Sequence, residues 1–153
     1  MFTSAAPDTA PPLSDSPSSC FVCAPTHPSG MRIRYDLAAD GSVEARWTPD
    51  RSWEGFPGIV HGGIVCTILD EAMSKAVSAL GCKALTAELK VRFRRPVPPG
   101  QELAIRGWII DRCKRRLRTE AIVTSVDGSE LAHAWGSFLS SSGPHTDTEA
   151  GLR

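Results

Sequence analysis

The sequence lacks net charge. Its 153 residues carry 17 Lys+Arg and 17 Asp+Glu, which disfavours a strongly basic nucleic-acid binder and an acidic disordered chain. It lacks any run of about 18 apolar residues, so no membrane span is expected. The first Lys or Arg is Arg32, so the basic start of a secretory or transit peptide is missing. Cysteine is present but poorly suited to a disulfide framework. The count is odd, five (Cys20, Cys23, Cys66, Cys82, Cys113), and three lie inside apolar or periodic segments, which points to a reducing compartment and a cytoplasmic location. There is no G-x-S-x-G, G-x-x-x-x-G-K-[ST], G-x-G-x-x-G or H-E-x-x-H. A serine hydrolase, a nucleotide triphosphatase, a dinucleotide-binding enzyme and a zinc protease of the usual kinds are thereby disfavoured.

What is present is the composition of a globular protein of one-domain size, with 41% hydrophobic residues. Residues 1–19 are rich in Pro, Ser, Ala and Thr and cannot bury enough apolar surface to offset ordering entropy; a disordered tail is expected there. Residues 20–140 form the domain, and 141–153 read as a second flexible tail. The balanced charge is unevenly placed. Residues 83–118 hold 11 Lys/Arg and 3 Asp/Glu, a net +8. A basic region on a neutral protein suits an anionic small ligand better than a polyanion.

Met31 to Leu37 alternates strictly, Asp40-Gly41 marks a tight turn, and Ser42 to Thr48 alternates again, so a hairpin is expected. A Pro/Gly-rich loop leads to His61-Gly62-Gly63. From 64 to 80, Val65, Ile68, Leu69, Ala72, Met73, Ala76, Val77 and Leu80 recur at three and four, predicting a helix with Thr67, Asp70, Glu71, Ser74, Lys75 and Ser78 on its polar line. The clearest strand follows, with Leu85, Ala87, Leu89, Val91 and Phe93 predicted on one side and Thr86, Glu88, Lys90, Arg92 and Arg94 on the other. Strands near 102–110, 115–126 and 129–139 complete the order ββαββββ, the last two joined at Asp127-Gly128. This is an α+β chain: an antiparallel sheet around one long apolar helix whose Ala72, Ala76 and Ala79 allow close approach.

The candidate chemistry sits at the start of that helix. Two glycines leave backbone N–H groups unscreened where the helix dipole is positive, a setting that stabilises an oxyanion. Eight residues on, Asp70 lies on the polar line, where a carboxylate serves as general base or as nucleophile. Each feature also has a plainer reading: Gly62-Gly63 as a tight helix entry, Asp70 as a solvated side chain, His61 as a helix cap. Their combination is much less common by chance. Cys20-x-x-Cys23 reads as packing rather than a metal site, because zinc takes four ligands and no second pair lies at suitable spacing.

The segment HGGIVCTILDEAM resembles the signature of the hotdog-fold acyl-CoA thioesterases of the PaaI-like, 4-hydroxybenzoyl-CoA thioesterase superfamily. The similarity extends over about residues 20–139, including Cys20-Phe21-Val22-Cys23, the F-P-G-I-V-H-G-G loop, and Leu85-Thr86-Ala87-Glu88-Leu89 running into Arg94-Arg95-Pro96. It implies a hotdog fold, a sheet wrapped around a central helix, and hydrolysis of an acyl-CoA without metal or cofactor. In that reading Gly62 gives its N–H to the thioester oxygen, Asp70 activates water or attacks directly, Thr86 helps hold the water, and His61 orients the thioester. Some relatives carry Asn six residues before the His; here Gly55 stands there. Gly63, Arg92, Arg94, Arg95 and Arg116 are the expected substrate-binding residues, the arginines pairing with the phosphates of coenzyme A by charge-assisted bonds. Each of these arginines taken singly also reads as a solvated strand-edge charge.

Gly62 and Asp70 stand about 12 Å apart along one helix, too far to serve one tetrahedral centre. A homodimer, or a dimer of dimers, with sites shared between subunits is therefore expected, as the resemblance also implies. The alternatives are a hotdog hydratase or dehydratase acting on acyl thioesters, and a non-catalytic acyl-CoA-binding module.

Overall fold

The computed structural model describes residues 19–140. The tails expected over 1–19 and 141–153 fall, except for Ser19, outside the described residues. The elements are β1 (Tyr35–Leu37), β2 (Val43–Trp47), α1 (Gly62–Ser78), β3 (Ala84–Phe93), β4 (Leu103–Cys113), β5 (Arg116–Ser125) and β6 (Glu130–Ser140), with one 3-10 turn at Arg51–Trp53. This is the ββαββββ order read from periodicity. The strands form one sheet in the order β1-β2-β4-β5-β6-β3, and every pairing is antiparallel. Among the described residues no helix is long and apolar enough to cross a membrane.

α1 lies on the inner face of the sheet. Val65, Ile68, Leu69, Ala72, Met73, Ala76 and Val77 are buried there with Ile105, Leu117, Val123, Ala134 and Phe138. Two glycines set how closely helix and sheet approach. A β carbon on Gly107 would stand 2.6 Å from the Ala72 carbonyl oxygen, and one on Gly136 would stand 2.8 Å from Met73 Sδ. Without side chains at these points the helix settles almost onto the backbone of β4 and β6, which is how one helix fills the whole concavity.

Several expectations are corrected. The first strand begins at Tyr35 rather than Met31. Arg32 has φ 54°, which interrupts an extended run, although Met31 and Ile33 stay buried with their N–H groups bonded to Phe21 and Val22 carbonyls at 2.7 and 2.8 Å. α1 starts at Gly62 and ends at Ser78, so Leu80, expected on its apolar face, is exposed. Lys75, expected on the polar line, is buried, its ammonium 3.7 Å from Glu71 Oε1.

The alternation of β3 is also not the one expected. Thr86 pairs with Phe138 and Glu88 with Ser137, so Ala87 is the extra residue of a β-bulge. Directly paired residues share a face. Ala84, Thr86, Leu89, Val91 and Phe93 therefore face the helix side with Ser140, Phe138, Gly136, Ala134 and Ala132. Leu85 joins Glu88, Lys90 and Arg92 on the outer face. An unbulged strand would have turned Thr86 outward. On that outer face His133 stacks on Trp135 at a ring separation of 4.2 Å and meets Trp108 edge-on.

Candidate active site

His61 is the N-cap of α1. Its Nδ1 accepts the Gly63 N–H at 2.9 Å, so in the neutral imidazole the proton sits on Nε2. The Ile64 and Val65 amides bond the His61 carbonyl. Among the described residues no acceptor meets the Gly62 N–H. The helix thus opens with one amide capped by a side chain and one available to an external oxygen, at the positive end of a 17-residue dipole.

Asp70 lies two turns further along the same exposed side of α1. Thr86 donates its Oγ1–H to Asp70 Oδ1 at 2.8 Å, a contact the Ala87 bulge makes possible. Burial pushes the Asp70 carboxyl above its ordinary range, the Thr86 bond pulls it partly back, and the neighbouring Glu71 charge pushes it up again. Cys66, one turn before Asp70, has its thiol pushed up by burial first and by the Asp70 charge last. Under this face, Tyr35 donates its hydroxyl to the Ile68 carbonyl at 3.0 Å. Its phenol is held well above the usual range by burial, then by Glu71, Cys23, Cys20 and Asp70. The sequence reading missed Tyr35, whose one signal is that it is the sole tyrosine in the chain.

Two clefts flank the helix start. One, of about 350 Å³, is lined by Gly62, Val65, Phe93, Arg94, Arg95 and Pro96 among others. The second, of about 420 Å³, brings Phe21, Trp53, Glu54, His61, Gly63 and Thr67 together. Consecutive helical residues differ by about 100°, which is why Gly62 and Gly63 open onto different clefts. Sequence reasoning missed Phe21, Trp53 and Phe93 as cleft walls: Phe93 read only as one position of an alternating strand, Phe21 only as part of the Cys20–Cys23 segment, and Trp53 carried no signal.

The basic residues divide between the faces. Arg94 and Arg95 reach the first cleft, with Arg94 Nε also 3.1 Å from Glu130. Arg92 pairs in register with His133 on the outer face. Arg116 is likewise engaged there, with Ser137 Oγ at 2.9 Å and Glu88 Oε2 at 3.2 Å. Within one chain, then, Gly62 is brought together with Arg94 and Arg95, and Asp70 with Thr86. Arg92 and Arg116 lie apart from both pairs.

The Thioesterase superfamily model matches residues 57–132, the stretch that runs from the glycine loop through the helix and on into β6. The chain belongs to the thioesterase superfamily. Among relatives of this superfamily, acyl-coenzyme A thioesterase THEM4 of Bos taurus is 34% identical over 87 residues, covering 56% of this chain and 35% of that protein. The chain spans about a third of the length of that curated relative. The crystal structure of a thioesterase superfamily protein superposes with a TM-score of 0.75 at 28% identity, covering 78% of this chain and 59% of that one. A hypothetical thioesterase from Streptococcus pneumoniae TIGR4, crystallised with coenzyme A, has a TM-score of 0.68 at 18% identity, over 72% of this chain and 90% of that one. The fold is thus the hotdog expected of the superfamily, one helix against a six-stranded antiparallel sheet.

Proposed function

We propose that this chain hydrolyses acyl-CoA thioesters to the free acid and coenzyme A. The observation that carries the reading is the Thr86–Asp70 hydrogen bond, which orients a carboxylate of raised basicity on the same helix whose first amide is uncommitted. Membership in the thioesterase superfamily, similarity to an acyl-coenzyme A thioesterase and the coenzyme A bound by a related fold support it.

In the proposed reaction Asp70 takes a proton from a water held beside it, and the oxygen attacks the thioester carbonyl carbon. Charge moves to the carbonyl oxygen, where the Gly62 N–H and the helix dipole stabilise it. The tetrahedral intermediate collapses, the C–S bond breaks, and the coenzyme A thiolate takes the proton back from Asp70. An Asp70 with raised pKa suits this role better than an ordinary carboxylate, because a base close in pKa to the working pH transfers protons more effectively. Arg94 and Arg95 anchor phosphate groups at the first cleft. His61, with Nε2–H free to donate, orients the thioester from the second, beside Gly63. Arg92 and Arg116 reach the nucleotide only if coenzyme A extends onto the outer face.

The reading requires two chains. Gly62 and Asp70 lie about 12 Å apart on one helix, whereas a tetrahedral centre needs both within hydrogen-bond reach. The second copy has a docking edge: β3 is an outermost strand, ten residues long, with Leu85, Leu89 and Phe93 exposed. An unpaired edge of this length with apolar residues invites another strand. Two such edges pairing antiparallel would set the two helices side by side with Gly62 of one copy near Asp70 of the other.

The test is thiol release from short, medium, long and aromatic acyl-CoAs. Hydrolysis supports the reading. Ligand binding without thiol release would make the chain an acyl-CoA-binding module, and addition of water to an enoyl thioester would make it a hydratase.

A further inference from the structure

Next to Asp70 on α1, around Glu71, lies a cluster that the thioesterase reading does not use. Cys20, Cys23 and Glu71 place two thiol sulfurs and a carboxylate oxygen all within 4.8 Å of one another. Cys20 Sγ is 3.9 Å from Glu71 Oε1. The turn that carries the two cysteines is tightly held: the Ala24 N–H bonds the Cys20 carbonyl at 2.9 Å, and residues 21 and 22 accept from Met31 and Ile33. Cys23 is buried. The pair is therefore anchored against the core rather than swinging at a terminus.

We propose that Cys20, Cys23 and Glu71 bind one thiophilic divalent cation, Zn²⁺, with water in the fourth position. Tetrahedral zinc with Zn–S of about 2.3 Å and Zn–O of about 2.1 Å sets its ligand atoms about 3.6–3.8 Å apart, close to the observed 3.9 Å between Cys20 Sγ and Glu71 Oε1. Two sulfur donors select zinc over magnesium or calcium, which prefer oxygen. The spacing rule that argued against metal looked for a second pair of Cys or His along the chain. The third ligand instead comes from α1, 51 residues from Cys20.

The charge balance fits as well. Without metal, the Glu71 carboxylate faces the buried Lys75 ammonium at 3.7 Å. With metal, two thiolates and a carboxylate around Zn²⁺ sum to −1, and the same ammonium brings the cluster to zero. The cation replaces two thiol protons, so no uncompensated charge is buried in either state. Such a site would clamp the Cys20–Cys23 turn onto the helical turn that carries Asp70, adjacent to Glu71 in the chain.

The experiment uses the full chain under reducing conditions with Co²⁺ as the spectroscopic stand-in. In a Cys66→Ser, Cys82→Ser, Cys113→Ser background the proposal expects one Co²⁺ per chain, thiolate-to-cobalt charge-transfer absorption, the visible bands of tetrahedral cobalt, and displacement by Zn²⁺. Zn²⁺ alone should raise Tm, because it binds the folded state. Cys20→Ser, at a partly exposed position, should abolish the charge-transfer band and the Tm gain while leaving metal-free Tm near that of the parent. Glu71→Gln should weaken binding by at least the ~10–100-fold typical of losing even an outer-shell partner. The proposal is overturned if no thiolate band forms, if the band survives Cys20→Ser, or if the cysteines are recovered as a Cys20–Cys23 disulfide with no metal taken up.

Discussion

The Thr86 hydroxyl donates to the Asp70 carboxylate at 2.8 Å, joining β3 to the middle of α1. The two residues are 16 positions apart, and the contact exists because Ala87 is bulged out of register. It couples the candidate base to a strand whose outer edge is free to pair with a second copy.

Replacing Asp70 by Asn should lower kcat by roughly 10²–10⁴, the span for losing a general base, with the fold intact by circular dichroism. Thr86→Ala should lower kcat less, because the carboxylate remains and loses only its orientation. A folded Asp70→Asn enzyme with near-normal turnover would remove Asp70 from the mechanism.

The acid limb of kcat/KM should sit above the ordinary carboxylate range, because the base must be ionised and burial raises its pKa. The Thr86 bond opposes that rise, so Thr86→Ala should move the limb to still higher pH. A limb that stays in place in Thr86→Ala would show that another group sets it. Stability follows with the opposite sign. Between the ordinary aspartate pKa of about 3.9 and the raised folded value, the folded state holds more proton than the unfolded one. Stability from this group is therefore full at low pH and lost as pH rises through the folded pKa. Asp70→Asn should unfold at a higher urea midpoint than wild type at pH 7, and the gain should vanish near pH 3.

If Arg94 and Arg95 anchor phosphate groups beside Gly62, the double substitution to Ala should raise KM for acyl-CoA several-fold. A minimal thioester without the nucleotide should be hydrolysed nearly as before. Equal losses on both substrates would assign the two arginine side chains to the fold, where Arg94 Nε already pairs with Glu130 at 3.1 Å.

A shared site should be revealed by mixing two inactive variants, Asp70→Asn and Gly62→Val. A β carbon at Gly62 meets Phe93 Cζ at 3.4 Å, an ordinary contact, so the valine variant should fold while its bulk screens the amide. After co-refolding, each heterodimer holds one site with both lesions and one with neither, so activity should return. Verified heterodimers without activity, or a fully active monomer by light scattering, would sink the composite site. Leu89→Glu with Phe93→Glu, two exposed positions on the helix-side face of edge strand β3, should lower the molecular mass in solution and the activity together.

Much of this molecule was legible along the chain. The three-and-four spacing from Val65 to Val77 marked the helix, the Asp40-Gly41 and Asp127-Gly128 turns marked two hairpins, and Gly62-Gly63 at the helix start with Asp70 eight residues after Gly62 marked the candidate site. Each is a local pattern, set by neighbours within a turn or a hairpin. Tertiary structure decided the rest. Leu85 to Phe93 alternates without a flaw as sequence, yet pairing against β6 inserts a bulge at Ala87 and turns Thr86, not Leu85, toward the helix. Lys75 sits at a surface-like position in the helical pattern, yet it is buried beside Glu71. Arg116 belongs to the same basic run as Arg94, yet the pleat of β5 sends it to the opposite face. Periodicity records which residues one element presents. Which face meets the helix, and which charge meets which partner, depends on register between strands far apart in the chain, and a shift of one residue in that register reverses every side chain beyond it.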